Sequence, residues 1–80
     1  MRLDKYLKVS RLIKRRTVAN EACDNERVSV NGRPAKASYD VKVGDVIEIQ
    51  MGEHLLRAKV LLVSEHVTKA DASAMYEILN

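Results

Sequence analysis

Phenylalanine and tryptophan are absent from these 80 residues, and Tyr6, Tyr39 and Tyr76 are the only aromatic side chains. No platform of aromatic rings is therefore available for stacking successive bases of a single-stranded nucleic acid. Cysteine occurs once, at Cys23, so an internal disulfide is impossible and no second cysteine can complete a metal site. That usage fits a reducing compartment. There is no run of about 18 apolar residues to cross a bilayer. Met1-Arg2-Leu3-Asp4-Lys5 leads into alternating charge without the apolar stretch of an export signal, and the expected location is the cytoplasm. Catalytic parts are equally scarce. Neither GxxxxGK(S/T) nor GxGxxG occurs, no carboxylate pair flanks a nucleophile, and His54 and His66 have no ligand partner at metal spacing. The expectation is a chain that is not an enzyme and uses no metal and no cofactor.

What is present is charge, unevenly placed. Apolar residues make up 46% of the chain and charged residues 31%, the balance of a globular domain and not of a disordered tail. At this length folding buries only about 60% of the unfolded surface, which leaves a thin core and little room for an enclosed cavity. The formal net charge is +3. Residues 1–16 carry Arg2, Lys5, Lys8, Arg11, Lys14, Arg15 and Arg16 against Asp4 alone, a net of +6. Residues 17–80 hold seven basic and ten acidic side chains, a net of −3. Segregation of this kind points to one face that meets a polyanion, although a charge run also suits a merely solvated helix face.

Periodicity divides the chain into a helical half and a strand half. Leu3 and Leu7 stand at i, i+4 in Arg2–Lys8 and predict a short amphipathic helix. Residues 9–13 break the period, and a second helix is expected from Arg16-Thr17 to about Asn25. Its buried stripe is assigned to the pairs Val18/Ala22 and Ala19/Cys23, so Cys23 reads as a small core residue. Asn25 is the preferred left-handed cap over Glu26. The period then becomes two at Val28 and Val30, and Asn31-Gly32 marks a tight turn. Pro34 confines its stretch to an edge or a loop. Residues 41–45 turn the chain into a strand at Val46–Gln50, and a longer strand is expected over Leu55–Val63, with Ala58, Val60 and Leu62 on one side. Lys69–Leu79 reads as a terminal helix with apolar positions Ala72, Met75, Tyr76 and Leu79. The order predicts an α+β fold: two N-terminal helices packed on a small antiparallel sheet, with a short C-terminal helical extension.

Without aromatic stacking, a basic surface recognises RNA through phosphates and 2′-hydroxyls of a folded shape. Arginine suits this because its planar fork pairs bidentately with phosphate oxygens. The start of the second helix adds oriented N–H groups near Arg15, Arg16 and Thr17. The expected RNA-binding residues are Arg2, Lys5, Lys8, Arg11, Lys14, Arg15, Arg16 and Thr17. A DNA-binding regulator is the main rival, because two short helices with a basic start imitate a helix-turn-helix, but Asn20, Glu21 and Asp24 make the second helix's outer face partly acidic. A membrane-surface helix is disfavoured, since Leu3 and Leu7 are needed in the core.

Five ordered pieces carry a resemblance. Arg2-Leu3-Asp4-Lys5-Tyr6-Leu7, Arg16-Thr17-x-Ala19, Arg27-Val28-Ser29-Val30-Asn31-Gly32, Lys36-x-Ser38 and Val41-x-x-Gly44-Asp45-x-Ile47 together resemble the S-four-type RNA-binding domain, also called the alpha-L fold. The Lys14-Arg15-Arg16 cluster and the ending Met75-Tyr76-Glu77-Ile78-Leu79 are similar to its branch of bacterial ribosome quality-control factors, relatives of the small heat-shock S-four proteins. The resemblance implies an RNA-binding domain over residues 1–63 and a C-terminal extension over 64–80. It makes Arg2 and Arg16 the principal RNA contacts, with Lys5, Lys8, Arg11, Lys14 and Arg15 on or beside the same surface. Implied partners are ribosomal RNA of an obstructed large ribosomal subunit, tRNA or peptidyl-tRNA, and RqcH, whose C-terminal alanine tailing of stalled chains such proteins support. A monomer off the ribosome and no membrane partner are expected. Heat-shock-type recycling of the large subunit is the alternative within the superfamily. Two positions depart from the pattern: Glu26 stands where the family often has Gly, and Arg15 where many members have Ser.

Overall fold

The computed structural model describes residues 1–79. Helix α1 spans Leu3–Val9 and places Leu3, Tyr6 and Leu7 on one face, all fully buried. Its first amide groups have no partner within the helix and are met by a loop: Leu3 N–H donates to the Tyr39 carbonyl at 2.8 Å and Asp4 N–H to the Ala37 carbonyl at 3.2 Å. Helix α2, Arg16–Asp24, packs through the small residues Ala19 and Cys23. Of the other expected pair, Val18 is corrected, being 47% exposed, while Ala22 is half-buried and packs against the core. A helix nine residues long that leans on its neighbour through small side chains buries a narrow stripe, and each residue turns the face by about 100°. Cys23 is a core residue as expected, and burial, with the nearby carboxylates of Asp4 and Asp24, pushes its thiol up to about 11.

Both helices end on a charged residue in the left-handed region, Arg11 at φ 64° and Glu26 at φ 58°. Asn25, expected to take that conformation, stays at φ −89°. The hydrogen bonds explain why the cap falls one residue later. Glu26 N–H donates to the Cys23 carbonyl at 3.0 Å and Arg27 N–H to the Ala22 carbonyl at 2.9 Å, the two bonds of a Schellman ending whose left-handed position is the residue after the cap. A non-glycine residue there loses about 1–2 kcal/mol to the clash of its Cβ. Glu26→Gly relieves that clash but loosens the unfolded chain, so we expect a net gain of roughly 0.5–1 kcal/mol, read as a higher urea midpoint at unchanged slope. A lower midpoint would show that the Glu26 side chain itself stabilises the turn.

Five strands form one antiparallel sheet in the order β2-β1-β3-β4-β5: β1 Val28–Val30, β2 Arg33–Pro34, β3 Val46–Met51, β4 His54–Val60 and β5 Tyr76–Ile78. Pro34 lies in the edge strand, where a missing N–H is harmless. Asn31 and Gly32, at φ 54° and 83°, make the two-residue turn that pairs Val30 with Arg33. The Asn31 side chain also reaches the loop before β3. It accepts from Val46 N–H at 2.9 Å and donates at 3.0 Å to the buried Asp45 carboxylate, which Tyr39 O–H and Lys42 N–H also engage. Val28, Val30, Ile47, Ile49, Ala58 and Val60 line the inner face, which packs against the helices.

The C-terminal half of the expectation needs correction. The strand predicted to Val63 ends at Val60, and Leu61 and Leu62, 45% and 44% exposed, turn their N–H groups to the Met75 carbonyl. The predicted helix over Lys69–Leu79 survives only as α3, Lys69–Ala72, and a 3-10 turn, Ser73–Met75. Tyr76–Ile78 instead pairs with β4, Val60 opposite Tyr76 and Ala58 opposite Ile78. An exposed strand edge offers a row of unpaired backbone groups, and satisfying them outweighs a helical period of four apolar residues. Tyr6 O–H fixes this return by donating to the Met75 carbonyl at 2.7 Å.

Candidate nucleic-acid interface

Asp4, the one acid in the basic segment, organises the two arginines that the sequence pattern singles out. Helix α1 carries Asp4 inward, where its side chain is 3% exposed, while Arg2 and Arg16 remain half-exposed above it. Arg2 grips the carboxylate side-on, Nε to Oδ1 at 3.1 Å and Nη2 to Oδ2 at 3.4 Å. Arg16, the first residue of α2, approaches Oδ2 through Nε at 3.4 Å. Asn20, one turn further along α2, donates to Oδ2 at 3.3 Å, and Lys5 N–H donates to Oδ1 at 2.8 Å. Burial pushes the Asp4 carboxyl up, but the hydrogen bonds from Arg2, Asn20 and Lys5 N–H, with the charge of Arg16, outweigh it and hold the acid below its ordinary value of 3.8. It is ionised at neutral pH. The two guanidinium groups thus share an anchor and keep donors for an outside anion, since one carboxylate cannot engage all five N–H groups of each. Thr17 lies beside Arg16, exposed, on the rim of a depression that Asp4, Arg16, Asn20 and Glu21 also line.

The other cations fall elsewhere. Lys8, Arg11 and Lys14 border an open cleft of about 540 Å³ whose far wall is Glu65, His66 and Thr68. The left-handed turn at Arg11 brings the chain around between α1 and α2 and places that residue at the cleft. Lys5 is engaged by Glu65, Nζ to Oε1 at 2.8 Å, which ties the C-terminal return to α1. Arg15 is exposed at the N-cap of α2. His54 opens β4 and is exposed, as is His66. Sequence reasoning missed Asp4 and Asn20 as parts of the site. A lone acid among seven cations was the available signal, since it lowers a charge that the segment otherwise accumulates. Among the described residues no group of three or more His, Cys, Asp or Glu is placed to hold a metal ion, and no helix is long and apolar enough to cross a membrane.

Residues 1–47 match the family model of the S4 domain. The chain is 58% identical over 80 residues to the RQC P-site tRNA stabilizing factor of Streptococcus pneumoniae, covering 100% of this chain and 91% of that relative. It is 52% identical over 79 residues to the protein of the same name from Bacillus subtilis, covering 99% and 92% of the two chains. Among solved structures it superposes on the trimeric structure of Vibrio cholerae Heat Shock Protein 15 with a TM-score of 0.90 at 28% identity, over 99% of this chain and 81% of that one.

Proposed function

The chain belongs to the S4 domain family, and on that footing we propose that it is a non-catalytic RNA-binding factor of ribosome-associated quality control. It binds ribosomal RNA and peptidyl-tRNA on obstructed large ribosomal subunits in the cytoplasm and supports RqcH-dependent alanine tailing of the stalled chain. Off the ribosome it is a monomer. Its RNA contacts are Arg2, Lys5, Lys8, Arg11, Lys14, Arg15, Arg16 and Thr17. The observation that carries this reading is the pair of half-exposed arginines set over one buried carboxylate, in a chain whose relatives are named for stabilising a P-site tRNA.

The physical role is positional. Two RNA molecules repel one another through their phosphates, and a protein that neutralises phosphates on both lowers that repulsion while releasing counterions. Segment 1–16, at +6, supplies the charge. A DNA-binding role is disfavoured by α2 itself, where Asn20 is turned inward to Asp4 and Glu21 and Asp24 are exposed. Heat-shock-type recycling of large subunits, the alternative that the sequence resemblance offers, is the second reading, in keeping with the likeness of this fold to Heat Shock Protein 15.

Deleting the gene tests the first against the second. We expect alanine tails on a non-stop reporter to disappear although RqcH is present, and the tagged protein to co-sediment with large subunits that retain peptidyl-tRNA. Tails of normal length in the deletion strain would remove the tailing role, and co-sedimentation with subunits lacking a tRNA would favour recycling.

A further inference from the structure

We propose that Asp4 is the positioning residue of the RNA-binding surface, holding the guanidinium groups of Arg2 and Arg16 in the orientation in which they meet phosphates; this rests on the reading that these arginines bind RNA. The geometry points to this in three ways. The carboxylate is 3% exposed while its two arginine partners are 50% and 48% exposed, so the anchor is inside and the free donors are outside. The anchor is itself held: Lys5 N–H and Asn20 Nδ2 fix its two oxygens, and both contacts come from helices packed in the core. Finally, Asp4 removes one unit of charge from the segment that needs it most, which a surface built on charge alone would avoid.

A purely stabilising role explains the arrangement poorly. Pairs with solvent-exposed arginines contribute little to stability, and a buried carboxylate is costly enough that an apolar residue of similar size often serves a fold equally well. What an apolar residue cannot do is orient two guanidinium forks. A free arginine must give up much side-chain freedom on contacting a phosphate, and one already held has less to lose.

The two accounts predict opposite signs. Asp4→Asn raises the net charge by one, so a charge-only surface binds tRNA more tightly after the substitution. Positioning predicts weaker binding, by about tenfold, despite the added charge. The experiment measures the affinity of the full chain for deacylated tRNA across a salt series, for the parent, Asp4→Asn, Arg16→Ala and the double variant, with the folded fraction followed by circular dichroism. We expect Arg16→Ala to cost at least about tenfold in the parent and under about threefold in the Asp4→Asn background, because the two substitutions disable one unit. Asn20→Ala covers the case in which Asp4→Asn does not fold: it loosens the anchor at constant net charge and is expected to weaken binding about threefold with an unchanged salt slope, since no phosphate contact is removed. Equal or tighter binding by Asp4→Asn, or by Asn20→Ala where that variant is the one used, overturns the proposal. Full additivity of the double variant overturns it as well. If Arg2→Ala and Arg16→Ala both leave tRNA binding unchanged, the RNA-binding reading itself fails and takes the positioning role with it.

Discussion

Leu7→Asp is expected to unfold this domain. Leu7 is fully buried on α1 in the core that also holds Leu3, Tyr6, Val28 and Ile47, where a carboxylate is set among apolar side chains. The substitution removes the apolar contact, worth about 2–5 kcal/mol for a large buried side chain, and adds the cost of an unpaired polar group, about 1–3 kcal/mol even after it takes up a proton. Domains hold roughly 5–15 kcal/mol in total, and one of this length sits toward the lower end. Val28→Asp, fully buried on β1 in the same cluster, is expected to act alike. Leu7→Met conserves volume and should cost under about 1.5 kcal/mol, keeping a cooperative transition. Thermal melting followed by circular dichroism checks all three, and a Leu7→Asp variant that melts like the parent would mean that α1 does not pack through this face.

The parts of the fold visible in the sequence are those set by local chemistry. Leu3 and Leu7 at helical spacing, Asn31-Gly32 between alternating valines, and Pro34 next to the turn each restrict the backbone within a few residues, and α1, β1 and the β1–β2 turn follow from them. The C-terminal segment did not yield to the same reasoning because its partner is distant. Tyr76–Ile78 becomes a strand only because β4 presents an open edge, and the periodicity of Ala72, Met75, Tyr76 and Leu79 carries no trace of that edge. Ala72 and Met75 are buried as the helical pattern expects, but Tyr76 is only half-buried and Leu79 is exposed, so the pattern held for the first turn and failed where the chain becomes a strand.

The candidate site divides in the same way. Arg2 and Arg16 stood out through motif and charge, and the fold joins them although fourteen positions separate them in sequence. Asp4 was visible only as a subtraction from the basic count. Its importance depends on α1 turning it inward, and a sequence cannot show which of two flanking faces a polar residue takes when Lys5 beside it remains half-exposed. Glu26 is a related case, because its left-handed backbone answers to the two Schellman bonds and not to its own preference.

Arg16→Ala and Arg2→Ala should each weaken tRNA binding by roughly tenfold to a hundredfold, the range of one charged hydrogen bond of about 1.5–3 kcal/mol. Each removes a donor to phosphate, so the slope of log affinity against log salt should become shallower by about 1. Lys59→Ala and Lys69→Ala take away the same formal charge from β4 and α3 and serve as controls. Both lie outside the first sixteen residues that carry the basic segment, and little change is expected. Folding is a separate matter and is checked by melting, because removal of either arginine leaves Asp4 with the other one, Asn20 and Lys5 N–H. The decisive comparison is therefore between arginine variants and lysine controls at matched folded fraction. Four equal losses would mean that net charge attracts RNA without a defined surface. Losses confined to Arg2 and Arg16 would locate recognition where α1 and α2 meet, and a copy bearing Arg16→Ala should then fold normally yet fail to restore alanine tails in the deletion strain.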